Sequence, residues 1–316
     1  MAETMTSSSK DQSATSSSGR TAAQVQADLE VQRRQANQRT RPQVEAQRRQ
    51  AEDEAEKNLD QEAIAAVQQT ERALIALSEN RIDEALAAIE QATGKINILL
   101  TRSPATALIP VDMRTTVIDT APDDVKDIAV LVDAAAVALD INDLPATRTL
   151  LDFLRSEIRI RIYHLPLATY PAALQEAVRL LDQKNMREAA AVLLVALNTL
   201  AIVDQVNPLP LLLAREAINA AQAQAQKDKE AAQKLVEAAN HELERAMELG
   251  YTAEDSDYIA LQDEIKNLRK QLKGSEDTTS LFSRIKEKLG SLTRRQSDKQ
   301  TRSDGQKQPQ QPQKAA

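Results

Sequence analysis

The chain has no cysteine, no tryptophan, only two histidines and six glycines, and 2% aromatic residues in 316 positions. Without cysteine there are no disulfides, no thiolate nucleophile and no Cys-based metal site. Two histidines, His164 and His241, cannot by themselves make a three-His metal centre. So few glycines leave little backbone for cradling phosphates, and no Gly-rich loop, metal-spaced cluster or nucleophile motif is present. No catalytic, cofactor-binding or metal-binding residue is therefore assigned, and no cofactor is expected. No run approaches the ~18 apolar residues of a membrane span. Residues 1–10 carry no apolar core of a signal peptide, so the expectation is a cytoplasmic chain.

What is abundant is Ala, Leu and Gln. A β-rich fold draws on aromatic and β-branched strands and glycine turns, so this composition predicts an all-α protein with a core of Leu, Ile, Val and Ala. The net charge of −7 is unevenly spread. Residues 1–50 hold eight Lys/Arg against five Asp/Glu, and residues 284–316 hold nine against three, which leaves −16 between them. An acidic body repels nucleic acid over most of its surface. The basic positions Arg33, Arg34, Arg39, Arg41, Arg48 and Arg49 have no interleaved aromatics for base stacking. They read as a solvated arm, or one docking on another subunit.

Four segments follow. Residues 1–20 are Ser/Thr-rich and predict disorder. Residues 21–58 read as a polar helical arm with little to bury. Residues 59–292 form the helical body. Residues 293–316, rich in Gln, Lys and Pro, read as a disordered tail.

Within the body one pattern recurs. Leu77-Ser-Glu-Asn-Arg-Ile82, Leu139-Asp-Ile-Asn-Asp-Leu144 and Leu181-Asp-Gln-Lys-Asn-Met186 each join two apolar helical stretches through a polar turn containing Asn, at offsets of 62 and 42 residues. Two Leu-Pro-Leu corners, Leu165-Pro166-Leu167 and Leu209-Pro210-Leu211, interrupt the helical pattern, since proline cannot continue a helix. The expected architecture is a bundle of about three helical hairpins with these corners. A loop from Ser103 to Met113 precedes the second hairpin. A long helix from about Leu211 to Leu249 is ended by Gly250, and a short coiled-coil-like hairpin follows. In that hairpin Tyr258, Leu261, Ile265, Leu268 and Leu272 form a two-heptad seam, the candidate for self-association.

Three side-chain groups are candidates for chemistry. Tyr163, His164 and Tyr170 concentrate polar rings at the first Leu-Pro-Leu corner, which suits either a ligand pocket or rings packing the corner against backbone groups freed by the proline. The packing reading is the commoner fate of buried polar groups. Asp112, in Ile109-Pro110-Val111-Asp112, reads as an acceptor for a nearby helix start. The stretch Leu281 to Leu292 is amphipathic with a basic flank. Packing on the body is favoured over the alternative of a peripheral membrane-surface scaffold.

Ile109-Pro110-Val111-Asp112, the two Leu-Pro-Leu corners, and Glu248-Leu-Gly-Tyr251 ahead of Asp257-Tyr-Ile-Ala-Leu261 together resemble the YfdX protein family, over roughly Leu59 to Leu292. The resemblance implies a helical fold, self-association and a tie to bacterial acid and drug stress. It brings no established activity and no functional residues. Many members look exported, whereas this sequence shows no leader and adds an arm and a tail. The leading expectation is thus a non-enzymatic, self-associating stress protein, a homo-oligomer that binds a partner protein or a small molecule. The alternative is a small-molecule binder or an unrecognised enzyme at the Tyr163/His164/Tyr170 corner.

Overall fold

Three times the chain folds one helix back on another through a turn whose key residue has left-handed backbone. The computed structural model describes residues 42–252, 256–274 and 277–305. The segments 1–20, 21–41 and 306–316 of the expected arm and tail lie outside the described residues. Helix α1 covers 42–56. The hairpins are α2 (Gln61–Ser78) with α3 (Ile82–Arg102), α4 (Val125–Asp140) with α5 (Leu144–Asp152), and α6 (Tyr170–Asp182) with α7 (Met186–Asn198). Their turns place Asn80, Asn142 and Lys184 at φ of 59°, 59° and 62°. Each closes the preceding helix in the same way. The Arg81, Asp143 and Asn185 amides donate to Ala76, Ala138 and Leu180 carbonyls at 2.8–2.9 Å, the 6→1 bond of a Schellman motif. The three repeats seen in the sequence are these three turns.

Each hairpin connects to a β-strand, a correction to the expectation of helix alone. The strands are β1 (Leu108–Asp119), β2 (Ser156–Pro166) and β3 (Ala201–Pro208), in an antiparallel sheet of order β1-β2-β3. The stretch expected as a loop from Ser103 to Met113 thus holds the start of β1, with a bulge between Pro110 and Asp112. Both Leu-Pro-Leu corners follow strands, not helices. Pro166 ends β2, where a missing N–H is tolerated, and Pro210 sits in the first turn of α8 (Leu209–Gln224). The mainly helical class stands, with this small sheet added.

The long helix expected over Leu211–Leu249 is two helices, α8 and α9 (Lys229–Glu248). Asp228 breaks it by capping α9, its carboxylate accepting from the Ala231 amide at 2.9 Å. Gly250, at φ 81°, ends α9 with the same motif as the hairpin turns. Helices α10 (Ser256–Leu272) and α11 (Thr279–Gly305) complete the described chain. The tail expected to be disordered from residue 293 is helical through Gly305, because no proline interrupts it there. Thr293 is buried and Arg295 reaches Asp257 at 2.9 Å.

Two cores result. Helices α2, α3, α6 and α7 enclose the first, together with Ile109, Val111, Leu165 and Leu167 from the strand ends. Helices α8 to α11 enclose the second. A small third cluster of Ile158, Leu209, Leu212 and Leu213 ties the sheet to α8, with Val44 and Ala51 of α1 packed on it. The arm residues 42–56 are therefore not free of burial, since Ala55 and Gln47 are buried as well. The second hairpin, α4–α5, belongs to neither core, so the expected three-hairpin bundle is a two-hairpin bundle with the middle one outside it.

Candidate functional site

The Tyr163/His164/Tyr170 corner does not converge. Tyr163 and His164 are neighbours in β2 and so project to opposite faces of the sheet. Tyr163 is half-buried against the first core, paired across the strands with Asp112 and Ile202. His164 lies between Pro110 and Ala201 in the ladder, and its buried Nδ1 has no hydrogen-bond partner among the described residues. Burial pushes its pKa down, which favours a neutral ring. Tyr170 opens α6 and is 1% exposed. Its hydroxyl lies beside Thr70 without a well-formed hydrogen bond, and burial raises its pKa to about 12. Tyr170 also lines an apolar groove of about 480 Å³ between α6 and α7, with Ala173, Val192 and Val195; Tyr163 and His164 do not line it.

The other expected residues have plain roles. Asp112 is exposed at the β1 bulge and accepts from the Met113 amide at 2.8 Å, rather than from a helix start. Tyr258, Leu261, Ile265, Leu268 and Leu272 are buried in the second core, so the seam is packed within one chain. Tyr258 donates to the Leu243 carbonyl at 3.1 Å. Leu281, Phe282, Ile285, Leu289 and Leu292 are buried in the same core, which turns the amphipathic face of that segment inward, away from any lipid surface. No helix among the described residues is long and apolar enough to cross a membrane.

Two features escape the sequence reading. The first is a polar junction between α9 and the end of the sheet. Arg245 is 4% exposed. Its Nε donates to the Pro122 carbonyl at 3.1 Å and its Nη1 to Glu242 at 2.9 Å, while Nη2 stands 3.7 Å from Asp119. The Ser156 hydroxyl donates to Asp119 at 2.8 Å, and the Ser156 amide donates to the Tyr251 hydroxyl at 3.1 Å. Burial raises the pKa of both Asp119 and Glu242, against the pull of Arg245. His241, next to Glu242, lies 3.6 Å from Asp123, which raises its pKa. Both raised carboxylates are thus committed to neighbours, and the junction holds α9 to β1 and β2. The Glu242 to Arg245 spacing of three on a helix was the visible signal, but its partners are far away in sequence.

The second is the surface of α4–α5. Helix α4 buries Ile128, Leu131, Ala135 and Ala138 on one face. Val130, Val137 and Ile141, at 63%, 60% and 71% exposure, form a second apolar stripe with half-buried Ala134, at spacings of 4, 3 and 4. Val132 and Leu139 form a third, and Leu144 and Leu151 of α5 are exposed too. A charged stripe of Lys126, Asp133 and Asp140 completes the helix surface. The signal was in the composition of Val125–Asp140, whose only charged residues are Lys126, Asp127, Asp133 and Asp140.

Comparison with known proteins finds a likeness over part of the chain. The YfdX protein family matches residues 66–206, from within α2 through most of β3. A crystal structure of YfdX from Salmonella Typhi matches at 17% identity with a TM-score of 0.33, covering 48% of this chain and 93% of that one. No curated protein matches the chain. The matched segment contains the three hairpins, apart from the first residues of α2, with the first two strands entire, so the likeness to the YfdX family lies over residues 66–206.

Proposed function

We propose that this protein is a non-enzymatic, self-associating binding protein, and that the α4–α5 hairpin is its contact surface. The single observation that carries the reading is the exposed apolar stripe of Val130, Val137 and Ile141, which helix α4 carries apart from its buried face. Val130, Val137 and Ile141 lie on one side of the helix, with Val132 and Leu139 on another. Exposed apolar patches mark interaction sites. A second copy supplies the matching apolar stripe through a two-fold contact, in which the same patch serves both sides. The commitment of Asp119 and Glu242 to Arg245 and Ser156 supports a structural rather than a catalytic use of the perturbed carboxylates. The family resemblance directs the search for a physiological setting to bacterial acid and drug stress.

Sedimentation velocity of the full chain tests this. The wild type is expected at a multiple of 34.7 kDa. Val137→Lys, on the exposed stripe, is expected to sediment as a single chain with unchanged far-ultraviolet circular dichroism. A monomeric wild type at tens of micromolar, or a Val137→Lys variant that assembles as before, overturns the reading. A second reading, capture of an apolar small molecule in the α6–α7 groove, is favoured by its lining of Tyr170, Ala173, Val192 and Val195. Val195→Gln should then abolish saturable binding of an apolar dye.

A further inference from the structure

A cleft of about 250 Å³ lies where α1 crosses the β2–β3 sheet, closed by α8 and α11. Its character is unlike that of the α6–α7 groove, because its walls carry amides and guanidinium groups. Gln47 of α1 is 5% exposed and Asn207 of β3 is 9% exposed. Neither side chain, nor that of half-buried Gln205 beside them, forms a hydrogen bond among the described residues, and their polar atoms are not among the sealed, unpartnered ones, so they stay open to the cleft. These three line the cleft and keep donors and acceptors available to it.

The charge is equally unspent. Arg215 of α8 is half-buried at the cleft and Arg294 of α11 stands at its edge; neither forms an ion pair among the described residues. One carboxylate, Glu54, also lines the cleft, where it accepts from the neutral Gln50 amide at 3.1 Å. Arginine keeps its charge at any working pH, and its planar fork matches a carboxylate with two parallel hydrogen bonds. Elsewhere in this chain that geometry is already formed, as between Arg161 and Asp204 at 2.8 Å through both Nε and Nη2. The volume lies below the usual range for drug-sized ligands, so the occupant is compact.

We propose that this cleft binds a small aliphatic carboxylate, with Arg215 taking the carboxylate and Gln47, Gln205 and Asn207 hydrogen-bonding the rest of the molecule. The inference does not rest on self-association, and the two fail separately, since one is read as mass and the other as ligand binding.

Isothermal titration of the full chain with succinate tests it, with the neutral diamide succinamide as the comparison. Saturable succinate binding in the millimolar range or tighter is expected. Binding should weaken at least about tenfold for succinamide and for Arg215→Gln, because each removes one half of a charge-assisted pair. Gln205→Leu should weaken it less, and Arg187→Gln, on the exposed side of α7, should leave it unchanged. Arg215 makes no ion pair that the fold requires, and circular dichroism of Arg215→Gln should match the wild type. Absence of saturable succinate binding overturns the proposal. So does equal affinity for succinate and succinamide, or an Arg215→Gln variant that binds as the wild type does.

Discussion

Changing glycine to alanine at two positions should move stability in opposite directions, for reasons that lie in the backbone alone. Gly250 sits at φ 81° as the residue that ends α9, and a Cβ placed there meets nothing within 4 Å. The cost of Gly250→Ala is therefore conformational rather than steric. A left-handed residue with a Cβ loses about 1–2 kcal/mol, and the smaller entropy of the unfolded alanine chain returns about 0.4–1 kcal/mol. The net expectation is a loss of about 1 kcal/mol. Gly94 lies inside α3, and a Cβ there also meets nothing within 4 Å. Helix propensity alone then operates, and Gly94→Ala should gain about 1 kcal/mol. For a folded body of this size each change shifts the thermal midpoint by about 2–4 °C, down for Gly250→Ala and up for Gly94→Ala. Thermal melts followed by far-ultraviolet circular dichroism, with urea midpoints as a check, read both. Shifts of the same sign would refute the assignment of left-handed backbone to Gly250 or of helix to Gly94.

The polar junction gives three further expectations. Arg245→Ala should destabilise by about 3–5 kcal/mol in chemical denaturation, because it strands Glu242 and Asp119 in a buried site, and the double change Arg245→Met with Glu242→Leu should recover most of the loss. Tyr251→Phe removes the acceptor of the buried Ser156 amide and should cost about 1–3 kcal/mol by the same assay. Asp119→Asn tests the direction of its titration. A carboxyl whose folded pKa is raised contributes stability below the ordinary carboxylate value of about 4, and that contribution is lost as pH rises through the folded value. The neutral amide that replaces it has no such loss, so urea midpoints of the variant should gain on the wild type between about pH 4 and pH 7; a variant that falls behind over that range contradicts the raised direction.

The hairpin turns were legible because one local device serves all three. Leu77 to Ile82, Leu139 to Leu144 and Leu181 to Met186 put a polar residue where the chain must turn left-handed, and two of the three use Asn, which tolerates it. The strands were not legible as such. Ile158, Ile160 and Ile162 alternate with Arg159 and Arg161, a period of two. The same isoleucines also stand four apart at 158 and 162, which suits a helix, and the composition of the whole chain decided the ambiguity wrongly. β1 offered less still, with Pro110 and a bulge breaking its alternation. Composition speaks for the average of a chain, and among the described residues three strands beside eleven helices hardly move that average.

The same limit explains why neither the junction nor the cleft could be read in advance. Arg245 and the carbonyl it caps are 123 positions apart, and the cleft gathers α1, β3, α8 and α11. A polar residue on a helix reads as solvated until its neighbours in space are known. The α4–α5 hairpin is the reverse case, since its exposure follows from composition once the topology is fixed. Hairpins one and three close on each other around a shared core, through α2 with α7 and α3 with α6. The chain between them must pass through a strand on either side of hairpin two, which keeps α4–α5 out of that closure. Among the described residues α4 packs on α5 and α9 and stays outside both cores, which leaves Val130, Val137 and Ile141 exposed.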